Sequence, residues 1–160
     1  ETESGKYTIV RPLHLGAARA DPERFESLAS GLSEYGLPLG DAFQMRDDVM
    51  GAFGEEQLTG KPVGGDLREG KPTPLLARAV RRADAEQLAV LAEVGAHGLD
   101  GDGVARIQQV IVDTGALAEL EDHITALTNA AVSAIEEAPI VETAKTELIA
   151  LAEYVSWRSV

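Results

Sequence analysis

"FQMRDDVMG", Phe43–Gly51, sits inside the longer apolar and helix-patterned window "LPLGDAFQMRDDVMGAF" (Leu37–Phe53). On an α-helix, positions i, i+3, i+4 and i+7 share one face. Gln44, Asp47, Asp48 and Gly51 have that spacing, so they form a polar stripe on a helix that Phe43, Val49, Met50 and Phe53 make otherwise apolar. A random pair of aspartates most often marks a solvated face. This stripe differs in having neither lysine nor glutamate, the usual residues of a wet face. It also carries a glycine, which costs roughly 1 kcal/mol in a helix interior and so calls for a reason. Gly51 lets something bulky approach. Two adjacent carboxylates aimed into a bundle repel unless a cation lies between them. Oxygen ligands with no nearby His or Cys suit Mg²⁺, which takes substrate phosphate and water as its other ligands. His14, His97 and His123 are scattered, which argues against a carboxylate–histidine iron site.

The chain has 160 residues, 44% apolar and 26% charged, which is ordinary for a globular protein. That length suits one domain burying roughly two-thirds of its unfolded surface. Nearly all of it reads as helix, with expected helices at about 6–19, 21–36, 39–53, 73–83, 84–95, 103–113, 116–138 and 142–157. Asp21 is the expected N-cap of the second, with Pro22 at its first position and Gly36 near its end. No stretch alternates in the way a strand does, so the fold class is all-α. "GEEQLTGKPVGGDLREGKPTP", Gly54–Pro74, reads as a glycine- and proline-rich loop, and residues 54–72 are expected to be the most mobile segment when no diphosphate is bound. "LDGDG", Leu99–Gly103, hints at a calcium loop, but the twelfth position from Asp100 is Ile111 where Glu is needed. Helix capping by Asp100 or Asp102 is the simpler reading.

Charge narrows the partners. The net charge is −13, with 13 acids and 9 bases in residues 1–80 and 14 and 5 in residues 81–160. A general phosphate-binding surface is excluded, and nucleic acid with it. No apolar run reaches ~18 residues, so no integral membrane segment is expected. The start, "ETESGKYTIV", lacks the apolar stretch of a signal peptide. There is no cysteine, which suits a reducing cytoplasm. The few cations are placed tellingly: Lys61, Arg68 and Lys71 follow the aspartates in the Gly-rich loop. "GDLREGK", Gly65–Lys71, matches seven positions of a nucleotide P-loop. Pro72 replaces the hydroxyl residue, no strand precedes it, and Asp66 and Glu69 would repel a cradled phosphate.

"FQMRDDVMGAFGEEQLTGKPVGGDLREGKPT" resembles the second aspartate-rich region of the trans-isoprenyl diphosphate synthases, the farnesyl and geranylgeranyl type of polyprenyl synthetase. The matching pieces are Phe43-Gln44, Asp47-Asp48, Thr59-Gly60-Lys61, Asp66-Leu67 and Gly70-Lys71 with Thr73. "YTIVRPLHLGA", Tyr7–Ala17, resembles the family helix that follows a Lys-Thr pair. The resemblance covers residues 1–160 as a single C-terminal portion of such a synthase. It implies the second half of an isoprenoid-synthase helical bundle. It implies Mg²⁺-dependent head-to-tail condensation of isopentenyl diphosphate with an allylic diphosphate, in a homodimer of the full-length protein. Asp47 would hold Mg²⁺, with Asp48 in support. Lys61 and Lys71 would meet the diphosphate, and Gln44 would lie near the developing cation.

Three departures accompany the match. Gly51 stands where the motif has a third aspartate. Glu3-Ser4 stands where the family has Lys-Thr, leaving Ser4, or Lys6 in its place, as the remaining diphosphate contact. The first aspartate-rich motif and the isopentenyl-diphosphate segment do not occur in the 160 residues, so these alone are expected to be inactive without an N-terminal half. One rival is a non-catalytic regulatory or interaction subunit of a heteromeric synthase, but such a subunit would be expected to lose Asp47 and Lys61. Another is a class I terpene cyclase, against which stand Arg46 before the aspartate and Val49 and Met50 where a serine ligand is needed. A plain helical interaction module leaves the Lys61–Lys71 loop unexplained.

Overall fold

The computed structural model describes residues 6–54 and 63–158. Among these residues there are α-helices and turns and no strand. A π-helical turn, Lys6–Val10, leads into α1 (Arg11–Ala20). Then come α2 (Phe25–Phe53), the short α3 (Gly65–Glu69), α4 (Pro74–Arg82), α5 (Ala85–Leu91), α6 (Gly101–Asp113), α7 (Ala116–Glu137) and α8 (Glu142–Trp157). None of the helices in the described residues is long and apolar enough to cross a membrane. The described residues fall into two compact units, one from 6–46 and 123–158, the other from 47–54 and 63–122.

Several helix starts follow from local chemistry. The Thr73 hydroxyl accepts the Leu76 N–H at 3.2 Å at the head of α4. Asp84 and Gln87 form a reciprocal capping box at the head of α5. The Asp100 carboxylate accepts the Gly103 N–H at 2.8 Å, so the "LDGDG" stretch is a helix cap.

The expected break near Gly36 is absent: α2 runs unbroken through Gly36 and Pro38 to Phe53. It also starts later than expected. Asp21 is the C-cap of α1, and its carboxylate accepts the Arg24 N–H in the turn before α2. Tertiary packing overrides the local signals. A Cβ on Gly36 would lie 2.9 Å from Val10 Cγ2 and 3.4 Å from Leu13 Cδ1, so this glycine serves the close approach of the N-terminal segment. Pro38 removes one backbone N–H from the helix, a loss of ~3 kcal/mol that the buried neighbours Tyr35, Leu39 and Ala42 offset.

The first unit is built on Leu28, Leu32, Tyr35 and Leu39 of α2, packed with Ala131 and Ile135 of α7, Ala138, and Ala152 and Val155 of α8. Tyr35 is fully buried and its hydroxyl donates to the Leu148 carbonyl at 2.7 Å. Burial pushes the Tyr35 pKa up from 10.0 to about 12. An unfolded tyrosine ionises near 10, so the folded form keeps its proton over a window where the unfolded form loses it. The stability this residue contributes is complete below pH 10 and is lost as pH rises towards 12, by about 2–3 kcal/mol. In urea titrations across pH 7–12, Tyr35→Phe should lose about 1 kcal/mol at neutral pH and show a shallower alkaline decline. An unchanged decline would place its cause elsewhere.

In the second unit, α6 buries Val104, Ile107, Val110 and Ile111, alongside Leu67, Leu75, Ala79 and Leu91. Gln108 Nε2 of α6 donates to the Ala52 carbonyl at 2.7 Å, which ties the end of α2 to α6.

Candidate functional site

The two aspartates of the opening stretch have different surroundings. Asp47 is exposed and Asp48 is buried, with 2% of its surface accessible. Adjacent residues on a helix diverge by about 100°, so one can face outward while its neighbour faces in. The cation expected near them is supplied by the protein at Asp48: Lys71 Nζ lies 3.6 Å from Asp48 Oδ1. The same ammonium donates to Asp66 Oδ2 at 2.9 Å. The hydrogen bond to Asp66 is the main reason the Lys71 pKa is raised, against an opposing effect of burial and with further support from the charges of Asp66 and Asp48. Lys71 is therefore a fixed positive charge at any physiological pH.

The segment carrying Asp66, just before Lys71, is helical where the sequence reads as loop. α3 forms a single helical turn and is held on several sides. Leu67 is buried, and its carbonyl accepts the Gly95 N–H at 2.9 Å. The Arg68 guanidinium donates to the Leu99 carbonyl. Gly64 and Gly70, with φ of 71° and 69°, bound the turn in the left-handed region that glycine adopts without strain. A Cβ on Gly70 would lie 3.0 Å from Gly95 Cα, so backbone packs on backbone there. The Lys71 N–H closes the turn on the Asp66 carbonyl at 3.0 Å, which brings the Lys71 side chain back over Asp66. This folded turn has no resemblance to a phosphate-cradling P-loop.

Gly51 answers the question the stretch poses. A Cβ there would lie 2.2 Å from Asp66 Oδ2, so what approaches the bare helix surface is the Asp66 carboxylate. In the sequence Asp66 stands out as a motif residue and as a charge that would repel a cradled phosphate, but not as the neighbour of Gly51; the unexplained mid-helix glycine was the signal that could have found it.

The remaining site residues are placed as follows. Gln44 lies on α2 in the first unit, half-buried. Lys61 and Ser4 lie outside the described residues, and so does the side chain of Lys6. Arg46, used above only as evidence against a cyclase, is buried at 3% exposure. Its Nε donates to the Ser156 carbonyl at 2.6 Å, and its guanidinium lies over the Trp157 ring, 5.6 Å from the centroid. Among the described residues no three His, Cys, Asp or Glu side chains gather as a self-sufficient metal cage. Mg²⁺ needs no such cage: it binds through one or two carboxylates and leaves its other positions to water and phosphate oxygens, so an exposed carboxylate such as Asp47 could serve it.

Comparison with known proteins fits this geometry. The polyprenyl synthetase family matches residues 2–112. The geranylfarnesyl diphosphate synthase of Aeropyrum pernix is 36% identical over 159 residues, covering 94% of this chain and 49% of that protein. The octaprenyl diphosphate synthase of Haemophilus influenzae is 35% identical over 127 residues, covering 79% and 38%. This chain thus spans half or less of the length of these curated relatives. A crystal structure of geranylgeranyl pyrophosphate synthase from Corynebacterium glutamicum, complexed with isoprenyl diphosphate and magnesium, superposes with a TM-score of 0.89 at 40% identity. It covers 97% of this chain and 44% of that one. A polyprenyl synthase from Caulobacter crescentus, complexed with calcium and isoprenyl diphosphate, superposes at 0.80 with 28% identity, covering 94% and 46%. The all-α bundle and the order of the aspartates and lysines along it have one common explanation: the chain belongs to the polyprenyl synthetase family.

Proposed function

We propose that this chain supplies the second aspartate-rich half of the active site of a trans-prenyl diphosphate synthase. The reaction joins isopentenyl diphosphate head-to-tail to an allylic diphosphate. The carbon–oxygen bond of the allylic diphosphate breaks, and pyrophosphate leaves with the electron pair. The double bond of isopentenyl diphosphate attacks the allylic carbon, and loss of a proton restores a double bond in the longer product. The observation that carries the reading is the division of labour on α2: Asp47 exposed, and Asp48 buried beside a fixed lysine. That arrangement can hold a cation-bridged diphosphate without first losing its own structure.

Bound Mg²⁺ would neutralise charge growing on the departing diphosphate. On the protein side, Asp47 would hold the metal ion, with Asp48 fixing the local field from beneath. Lys71 would present positive charge to the diphosphate, joined by Lys61. Gln44 would orient its amide oxygen towards the developing cation, and Ser4 or Lys6 would add a contact to the diphosphate. The 160 residues carry one aspartate-rich stretch, so enclosure of the substrate falls to the rest of a protein of the relatives' length. Without that wall, water would capture the allylic cation before the second substrate attacked. We further take the full-length protein to be a cytoplasmic homodimer.

Lys61→Ala in the full-length protein tests the diphosphate role. It should raise the KM for the allylic diphosphate by about tenfold or more, with a smaller change in kcat, because a charge-assisted contact to the bound substrate is lost. A KM within about twofold of wild type, measured by steady-state kinetics, would remove Lys61 from the site.

A further inference from the structure

Two arginines and two aromatic rings cross between α2 and α8 within the first unit. α2 offers the Arg46 guanidinium to the Trp157 ring of α8, 5.6 Å from its centroid. α8 returns the contact at its C-cap, where the Arg158 guanidinium lies over the Phe43 ring of α2, 4.4 Å from the centroid. Each helix thus gives one cation and receives one. Between the two stacks, Arg46 Nε donates to the Ser156 carbonyl, and the Ser156 hydroxyl pairs with Thr128 Oγ1 of α7 at 2.6 Å. A helix end frays unless side chains tie it down, and here the ties all lead to one short stretch of α2. Phe43 also packs against the apolar core, so its ring is held from the core and from Arg158. These contacts pin α2 at Phe43 and Arg46, which bracket Gln44. Gln44 is half-buried, yet its amide has no hydrogen bond within the described residues. With no partner of its own, it is placed by the helix beneath it. A displacement of about 1 Å at a reacting centre costs on the order of 100-fold in rate.

We propose that Arg158 is a positioning residue for Gln44: with Arg46 it clasps the end of α8 to α2, and so fixes the stretch of helix from which Gln44 meets the substrate. Ser156, Trp157 and Arg158 lie outside residues 2–112, over which the family matches, and outside the aspartate-rich motif. The clasp stands on the contacts alone; the purpose given to Gln44 rests on the prenyl-transfer reading.

The test combines substitutions in the full-length protein, read by steady-state condensation of isopentenyl diphosphate with an allylic diphosphate and by thermal midpoint. Arg158→Ala should lower kcat about tenfold and leave the KM of both substrates within about twofold, since no contact to diphosphate is lost. In a Gln44→Ala background the same change should move kcat by less than about twofold, because the group it positions is gone. A merely structural role would give the same loss in both backgrounds, and a direct contact with diphosphate would raise KM in both. Either result overturns the proposal, as does wild-type kcat in Arg158→Ala. The clasp itself is read from the midpoint. Arg158→Ala should lower it by about 2–4 °C, and adding Phe43→Leu should cost less than the sum of the two single losses. Losses that add in full would overturn the clasp and the proposal with it. A wild-type protein that makes no longer prenyl diphosphate would refute the reaction assigned to the chain and the purpose of Gln44, while the midpoint cycle would still establish or reject the clasp.

Discussion

Asp47→Ala in the full-length protein should lower kcat by about two to three orders of magnitude, the scale on which removing one electrostatic contact to a developing charge acts. The thermal midpoint should move by only a degree or two, because Asp47 is an exposed helix residue and alanine is a better helix former than aspartate. The combination matters: a loss of rate without a loss of fold separates a group acting on substrate from one acting on structure. Asp48 should behave differently. It is buried against Lys71, so Asp48→Ala should lower both turnover and stability. Steady-state kinetics beside differential scanning calorimetry distinguishes the two. Equal midpoint losses for the two variants would contradict the division of roles between adjacent aspartates.

Arg46→Ala should be the most destabilising single change at the aspartate stretch, by about 3 kcal/mol, equivalent to a midpoint drop of about 6–12 °C. Arg46 is 3% exposed, its Nε donates to the Ser156 carbonyl at 2.6 Å, and its guanidinium rests over Trp157. Truncation removes a charge-assisted hydrogen bond, leaves a carbonyl at the end of α8 without that donor, and opens a cavity where the side-chain stem packed. Ser156 is fully buried and its hydroxyl is 2.6 Å from Thr128 Oγ1, so there is little freedom to re-form the lost contact. Lysine is a poor substitute, since it cannot offer an Nε donor and a planar face together. Arg46→Lys should recover less than half of the loss in urea denaturation. A loss below about 1 kcal/mol for Arg46→Ala would mean that the tie between α2 and α8 is carried by the apolar contacts alone.

Much of this was legible in the sequence because its signals are local. The α4–α8 boundaries follow from Thr73, Asp84 and Asp100 caps and from apolar periodicity, and each lies within a few residues of its expected place. Gly36 misled for a physical reason. A glycine near a proline signals a helix end when only the chain's own backbone is considered, but this glycine is required by Val10, 26 positions upstream, which no local window contains. Gly51 is the same case at the site. Its oddity was visible, yet the partner that explains it comes from a turn that reads as loop, since "GGDLREG" gives too few residues to show a helical period. Asp47 and Asp48 were found as a pair, but which faces outward depends on what packs beneath α2. Arg46 was hidden because the backbone carbonyl that accepts its Nε lies 110 residues away, beyond any local window.

The central claim is that this chain forms half of a chain-elongating active site. The direct measurement is to incubate the full-length protein with Mg²⁺, isopentenyl diphosphate and an allylic diphosphate, and to follow prenyl diphosphates by mass spectrometry. The account predicts products longer than the allylic substrate by whole five-carbon units, abolished by chelation of the metal. A well-folded protein that binds both substrates with Mg²⁺ but yields no longer prenyl diphosphate would contradict it.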